Sequence, residues 1–233
     1  MEVCLPVPAA VKVLLFGATG MVGAGVLREC LHDDRVSEVR CVLRSSSGVT
    51  HPKLRELIRT DFFDYHDARD AFRGAKACFF CLGVTAVGKT EDEYRHLTFD
   101  LTLAAARTLA EVNPGMTFCY VSGQGTDSTE RGRSMWARVK GKTENELLRL
   151  PLQAYMLRPG YIQPLGGIQS KTRVYRVFYS IMSPLYPVLR RLTPNLVTTN
   201  EAVGRAMIEL ASRGYPSRIL EVRDINKVAE QSR

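Results

Sequence analysis

Gly17, Gly20 and Gly23 stand three residues apart, directly after the apolar run VKVLLF at positions 11 to 16. The chemistry that this spacing offers is phosphate binding. The backbone must turn sharply after a strand, approach a pyrophosphate closely and open a helix tight against the sheet, and each step leaves little room for a Cβ. The helix then presents unpaired N–H groups and its positive dipole end. Gly17, Thr19, Gly20, Met21, Val22 and Gly23 are therefore the expected contacts of a dinucleotide pyrophosphate. The alternative is a glycine-rich turn that holds no ligand.

Two further positions bear on which dinucleotide would bind. NAD-specific sites place a carboxylate at the end of the second strand to hold the ribose hydroxyls. Here that position is Arg44, followed by three serines. A guanidinium there can pair with a 2′-phosphate, so the expected cofactor is NADP(H), with NAD as the other possibility. The competing reading is an exposed loop arginine. Asp61 and Phe62, expected at the end of the third strand, are candidates for the adenine side, with Asp61 accepting from the amino group. Gly83, ending the fourth strand, would let backbone approach the cofactor.

The surrounding pattern supplies elements to position these residues. Strands are expected at 11–16, 39–43, 57–62, 75–82, 117–121 and 154–157. Between them, Val22, Val26, Leu27, Cys30 and Leu31 share one helical face. Thr90 and Glu93 have capping-box spacing for a long helix that Asn113-Pro114-Gly115 stops. Residues 135–150 read as a further helix, and 201–212 with a strand near 219–222 close the chain. Alternating strands and helices on short links imply a Rossmann-type, doubly wound parallel α/β sheet with helices on both faces. We expect one domain, with a core over roughly 11–160 and a small C-terminal substrate-side extension from about 161 to 233.

Composition narrows the classes. The 233 residues are 45% hydrophobic and 24% charged, enough apolar material for a sizeable core. The net charge of +8 is spread along the chain without like-charge blocks, so a phosphate-bearing ligand accounts for it better than nucleic acid. Cys78 and Cys81 form a C-x-x-C inside one strand, where positions three apart face opposite sides, which argues against a redox pair. No zinc spacing is present. No signal peptide and no bilayer-length apolar stretch are visible, and a cytoplasmic location is expected by default.

GATGMVG at 17–23, Cys81-Leu82-Gly83, Val121-Ser122-Gly123, Val139-Lys140-Gly141 and Arg158-Pro159-Gly160 occur in order over roughly residues 11–165. Together they resemble the short-chain dehydrogenase/reductase superfamily, in its atypical, epimerase-like branch, nearest to the Tat-interacting oxidoreductase group and its bacterial relatives. The resemblance adds Cys81, Leu82, Pro159, Gly160 and Lys140 to the expected cofactor contacts. It also implies a catalytic set of Tyr-x-x-x-Lys, one helical turn apart, with a hydroxyl residue after the fifth strand. Here Ser122 and Lys140 are present, but Trp136 occupies the tyrosine position. An indole N–H donates only and does not titrate usefully. Trp136 can pack over the nicotinamide, donate to a substrate oxygen, or be a plain core aromatic. Lys140 reads as a ribose ligand or as a solvent-facing helix lysine. Tyr161 is the hydroxyl source most plausibly near the reactive end.

Two functions remain open from sequence. One is an NADP(H)-dependent oxidoreductase or epimerase-like enzyme acting on an unidentified small molecule, with a proton donor other than tyrosine. The other is a cofactor-binding redox sensor or interaction protein with little catalysis. The basic, aromatic stretch 171–193 reads as a lid or a subunit interface, such as that of a homodimer, in preference to membrane contact.

Overall fold

The computed structural model describes residues 10–167, 186, 191, 193 and 195–232. Its strands are β1 (Val11–Phe16), β2 (Val36–Leu43), β3 (Leu54–Ile58), β4 (Ala77–Phe80), β5 (Thr117–Val121), β6 (Gln153–Arg158), β7 (Tyr161–Gln163), β8 (Val197–Thr199) and β9 (Ile219–Glu221). Seven of them form a parallel sheet in the order β3-β2-β1-β4-β5-β6-β9, and β7 pairs with β8 beside it. A strand covered on both faces must be apolar on both. In β1, Val13 and Leu15 join one core, Leu14 and Phe16 the other, and all four are buried.

The helices divide between those faces. Helix α1 (Met21–His32) packs on the Val13 side. The opposite face takes α2 (Arg69–Phe72), α4 (Leu101–Val112) and α5 (Met135–Arg149) through Phe72, Leu109 and Leu147. Helix α3 (Glu91–Arg95) leads into α4 through one π-helical stretch, His96–Asp100. The capping box forms as expected: the Thr90 hydroxyl accepts from Glu93 N–H at 3.3 Å, and the Glu93 carboxylate from Thr90 N–H at 2.9 Å. Back on the first face, α6 (Asn200–Arg213) and α7 (Val222–Glu230) contribute Val203, Met207, Ile225 and Val228.

Glycine lets α1 and α6 meet closely. A Cβ on Gly25 would lie 2.6 Å from the Asn200 side chain, and one on Gly204 2.9 Å from Glu29. Small residues at the crossing thus set the helix separation.

Several elements differ from the sequence reading, and β2 and β4 run 36–43 and 77–80 rather than 39–43 and 75–82, so Gly83 follows β4 at a distance instead of ending it. The third strand runs 54–58 rather than 57–62. The chain leaves the sheet at Arg59, whose guanidinium donates to the Asp61 and Asp64 carbonyls and pairs with Asp67. Asp61 and Phe62 therefore lie in the loop after β3. The chain closes with α7 rather than with a strand, because Val222, Ile225, Val228 and Ala229 bury one helical face behind a Glu221/Asp224 capping box. The β7–β8 pair is also unanticipated. Most of the 171–193 stretch lies outside the described residues. The five described cysteines are free, and Cys78 and Cys81 pack against opposite cores, as expected of a strand.

Candidate functional site

The seven parallel strands end at one edge of the sheet, and the strand order reverses between β1 and β4, where open α/β sheets carry their ligand crevice. Every candidate residue lies along that edge. Gly17 follows β1 in the left-handed region, φ +82°, and a Cβ there would sit 2.7 Å from the Cys81 carbonyl carbon. Gly20 donates to the Gly17 carbonyl at 2.9 Å and forms the N-cap of α1 without any side-chain cap. A Cβ on Gly23 would fall 2.1 Å from the Gly17 oxygen. Gly17 and Gly23 are thus required by φ and by the backbone's close approach to itself, whereas a Cβ on Gly20 would meet the Gly17 oxygen at 3.3 Å, tight but not excluded.

The consequence is an open helix end. The first bond into α1 runs from Ala24 N–H to the Gly20 carbonyl at 2.8 Å. The N–H groups of Met21, Val22 and Gly23 precede it and have no place in the helical ladder. No acidic side chain lies in the first turn. Thr19 and Gly20 are exposed in front of them. This cradle suits an anionic diphosphate in shape and in charge.

Arg44 extends from the end of β2, is exposed, and makes no ion pair or hydrogen bond among the described residues. The serine loop beside it is anchored, since Glu56 accepts from Ser47 N–H at 2.9 Å and from its hydroxyl at 2.5 Å. Those bonds, with help from Ser46, hold the Glu56 carboxyl below its ordinary range. Asp61 accepts from Phe63 N–H at 2.7 Å and is exposed, while Phe62 is buried beneath it. Cys81 and Leu82 are half-buried beside the glycine turn, and Gly83 is exposed after them.

The other half of the edge is built by β5, β6 and α5. A Cβ on Gly141 would lie 1.8 Å from the Asp127 carbonyl oxygen, so α5 presses directly on the loop after β5. Asp127 braces that loop, accepting from the Thr129 hydroxyl and N–H at 2.6 and 2.9 Å and from Gly132 N–H at 2.6 Å, which holds its carboxyl below the usual range. Trp136 is half-buried and faces Gly123 and Gly125, whose Cα positions leave ordinary van der Waals room. One turn further along α5, the Lys140 amine donates to the Ser122 carbonyl at 2.6 Å and lies 5.7 Å from the centre of the Tyr120 ring. Burial of that amine lowers its pKa to about 8, with Glu144 acting weakly in the other direction.

The Ser122 hydroxyl is turned inward and donates to the Leu157 carbonyl at 3.1 Å. Its backbone carbonyl, not its hydroxyl, therefore meets Lys140. Pro159 accepts from Gln124 N–H at 2.8 Å, and Gly160 lies where a Cβ would be 2.5 Å from the Leu196 carbonyl. The Tyr161 hydroxyl donates to the Gln163 side-chain oxygen at 2.8 Å.

Sequence reasoning missed the pair beneath the site. Glu144 is fully buried and accepts both from Arg158 Nε, at 3.1 and 3.2 Å, and from Nη2 at 2.5 Å. Arg158 also reaches Ser128 and Glu221, which ties α5, the loop after β5 and β9 together. The available signal was a carboxylate on the inward face of α5, a position that demands a cation.

No family model matches the chain. It is similar in structure to a UDP-glucose 4-epimerase, at 15% identity and TM-score 0.68, with 95% of this chain and 82% of that one covered. The chain thus shares the Rossmann-type fold of that epimerase. It is likewise similar in structure to Bordetella bronchiseptica WbmF in complex with NAD+, at 15% identity and TM-score 0.64 over 96% and 78% of the two chains. Among curated proteins, Emericella nidulans "Protein fmp52, mitochondrial" is 27% identical over 209 residues, covering 84% of this chain and 85% of that protein. "Leucinostatins biosynthesis cluster protein T" of Purpureocillium lilacinum is 28% identical over 141 residues. There the match covers 59% of this chain and spans about half, 51%, of the relative. The expectation of a cytoplasmic protein is corrected by these relatives, because five of them are named as mitochondrial. It had rested only on two absences, of a visible leader and of a bilayer-length apolar stretch. No helix among the described residues is long and apolar enough to cross a membrane.

Proposed function

We propose that the chain binds a nicotinamide dinucleotide across the β1/β4 crevice, prefers NADP(H), and acts as an oxidoreductase or epimerase-like enzyme on a small molecule. The observation that carries this reading is the glycine cradle under an uncapped α1 N-terminus at the switch point of the sheet. Met21, Val22 and Gly23 N–H would hold the diphosphate. Arg44 would pair with a 2′-phosphate, Asp61 and Phe62 would flank the adenine, and Cys81, Leu82 and Gly83 would line the floor. Lys140, Pro159 and Gly160 would border the nicotinamide ribose. When bound, the dinucleotide supplies a hydride donor or acceptor. The protein orients it, excludes water with Trp136 and handles the proton. The names of the fmp52 relatives make the mitochondrion the compartment to examine, by fractionation of cells expressing the tagged chain.

The test is titration of the purified chain with NADPH and NADH, then turnover over a panel of carbonyl compounds and sugar nucleotides. NADPH should bind at least about tenfold more tightly, a gap of ~1.4 kcal/mol. Equal or reversed affinity removes the NADP(H) preference.

One observation favours a second reading, a sensor or interaction protein with little catalysis: an indole occupies the tyrosine position. Activity that appears only in Trp136→Tyr would support it.

A further inference from the structure

We propose that the cavity between α6, α7 and β8 is a second ligand site, one that takes a small phosphate monoester with a compact apolar body. The inference goes beyond the dinucleotide reading and does not depend on it.

The cavity measures about 510 Å³, within the range of small-molecule sites. Among the described residues its lining comes from position 165 onward, so it shares no residue with the glycine turn or with α5. Leu165, Tyr186, Val197, Ala202 and Ala229 give it an apolar side. Arg205 of α6, with Arg223 and Lys227 of α7, gives it a cationic one.

The carboxylates nearby do not cancel those cations. Glu201 is shared by Arg28, at 3.3 Å, and Arg205, at 3.8 Å, while Glu29 of α1 pairs with Arg205 at 3.3 Å. Two cations and two carboxylates make that cluster neutral. Arg223 and Lys227 stand outside it, four apart on α7 and so on one helical face. Both are exposed, and neither makes an ion pair or hydrogen bond among the described residues. Exposed arginines close by do have partners: Arg28 has Glu201, and Arg213 has Glu209. Glu230 also lines the cavity and offsets one of the two, which leaves a net charge of +1. In the same wall the Arg205 Nε–H is buried without an acceptor. A phosphate monoester supplies what is missing: close to two negative charges for the guanidinium and the ammonium, and three acceptor oxygens.

The wall is fixed before a ligand arrives. Asn226, between the two cations on α7, accepts from the Thr198 hydroxyl at 2.7 Å and donates to the Val197 carbonyl at 3.0 Å. The Thr199 hydroxyl accepts from Ala202 N–H at 2.9 Å and caps α6. These bonds tie α7 to β8 and β8 to α6, so the helices that carry the cations keep a set spacing, which lowers the entropy lost on binding.

The test is a 15N NMR titration of the full chain with phenyl phosphate. The Ala202, Asn226 and Ala229 amides should shift and saturate with a Kd below about 1 mM. Arg223→Gln combined with Lys227→Gln changes two exposed side chains and leaves the Asn226 bonds in place. It should weaken binding by about tenfold or more, and benzoate, with one charge and two oxygens, should bind wild type at least about tenfold more weakly than phenyl phosphate. Saturating NADPH should leave the three shifts in place. A weaker Kd, a smaller loss in the double variant, a smaller gap to benzoate, shifts confined to Gly20–Gly23, or displacement by NADPH would each overturn the proposal. If NADPH does not bind and phenyl phosphate does, the dinucleotide reading falls and this site stands.

Discussion

Gly23→Ala is the most informative single change. The new Cβ would meet the Gly17 oxygen at 2.1 Å and the Gly17 carbon at 2.6 Å, both of them backbone atoms that cannot swing aside. An ordinary contact begins near 3.4 Å, so the start of α1 must retreat from the turn by roughly 1.3 Å. Such overpacking costs about 1–3 kcal/mol of stability, or a fall in Tm of roughly 3–10 °C for a chain of this size. Binding should suffer more. The same retreat carries the Met21, Val22 and Gly23 N–H groups beyond hydrogen-bond range of a seated diphosphate. Two lost charge-assisted bonds at about 1.5–3 kcal/mol each correspond to a drop in coenzyme affinity on the order of 100-fold or more. Calorimetric titration with NADPH, beside a thermal melt, measures both effects. Gly115→Ala is the control: Gly115 also has a positive φ, +78°, but lies before β5 at the opposite edge with nothing near its Cβ position. It should lose stability and keep full affinity. If Gly23→Ala stays folded and binds within about threefold of wild type, a shift of ~0.7 kcal/mol at most, the cradle is not the phosphate site.

Other consequences can be checked independently. Arg44→Ala should weaken NADPH by tenfold or more, about 1.4 kcal/mol, and leave NADH nearly unchanged; equal losses for both would count against 2′-phosphate recognition. Arg158→Met leaves the Glu144 carboxylate buried without its partner and should cost about 3–5 kcal/mol in urea unfolding. Adding Glu144→Leu should restore most of that loss, and if it does not, the pair is not the cause. Lys140→Met tests the buried amine through stability. Lys140 has a folded-state pKa of about 8 against 10.5 when exposed, so between those values the unfolded chain holds the extra proton and stability rises with pH. The penalty of the buried ammonium is complete below about pH 8. The variant should therefore be more stable than wild type at pH 7, with the gain vanishing by about pH 10.5; a gain independent of pH would contradict this.

Much of this was legible in the chain itself, for identifiable reasons. Buried strands such as Val11–Phe16 and Thr117–Val121 carry apolar residues on both faces, a pattern that leaves few alternatives. The glycine turn was readable because Gly17 and Gly23 each answer a separate backbone demand, a left-handed φ and a close backbone approach. The capping box at Thr90 is a local bond between residues three apart, so sequence contains it completely. The offset of β3 was not legible, since it depends on Arg59 finding acceptors up to Asp64 and a partner in Asp67. Nor was the Glu144–Arg158 pair, which joins residues on two elements and becomes visible only when α5 and β6 are stacked. The inward turn of the Ser122 hydroxyl is likewise a choice between partners that only the fold presents. The β7–β8 pair joins segments separated by more than thirty residues, a link that no local pattern announces.

The central claim is that a nicotinamide dinucleotide seats between the glycine turn and α5, and Trp136 reports on it directly. It is the only tryptophan among the 233 residues, and its ring lies beside Gly123 and Gly125 in the loop after β5. Titrating the folded chain with NADPH while exciting that indole should give saturable quenching and sensitised dihydronicotinamide emission, both lost in Gly23→Ala. Unchanged indole emission up to millimolar coenzyme would contradict the account.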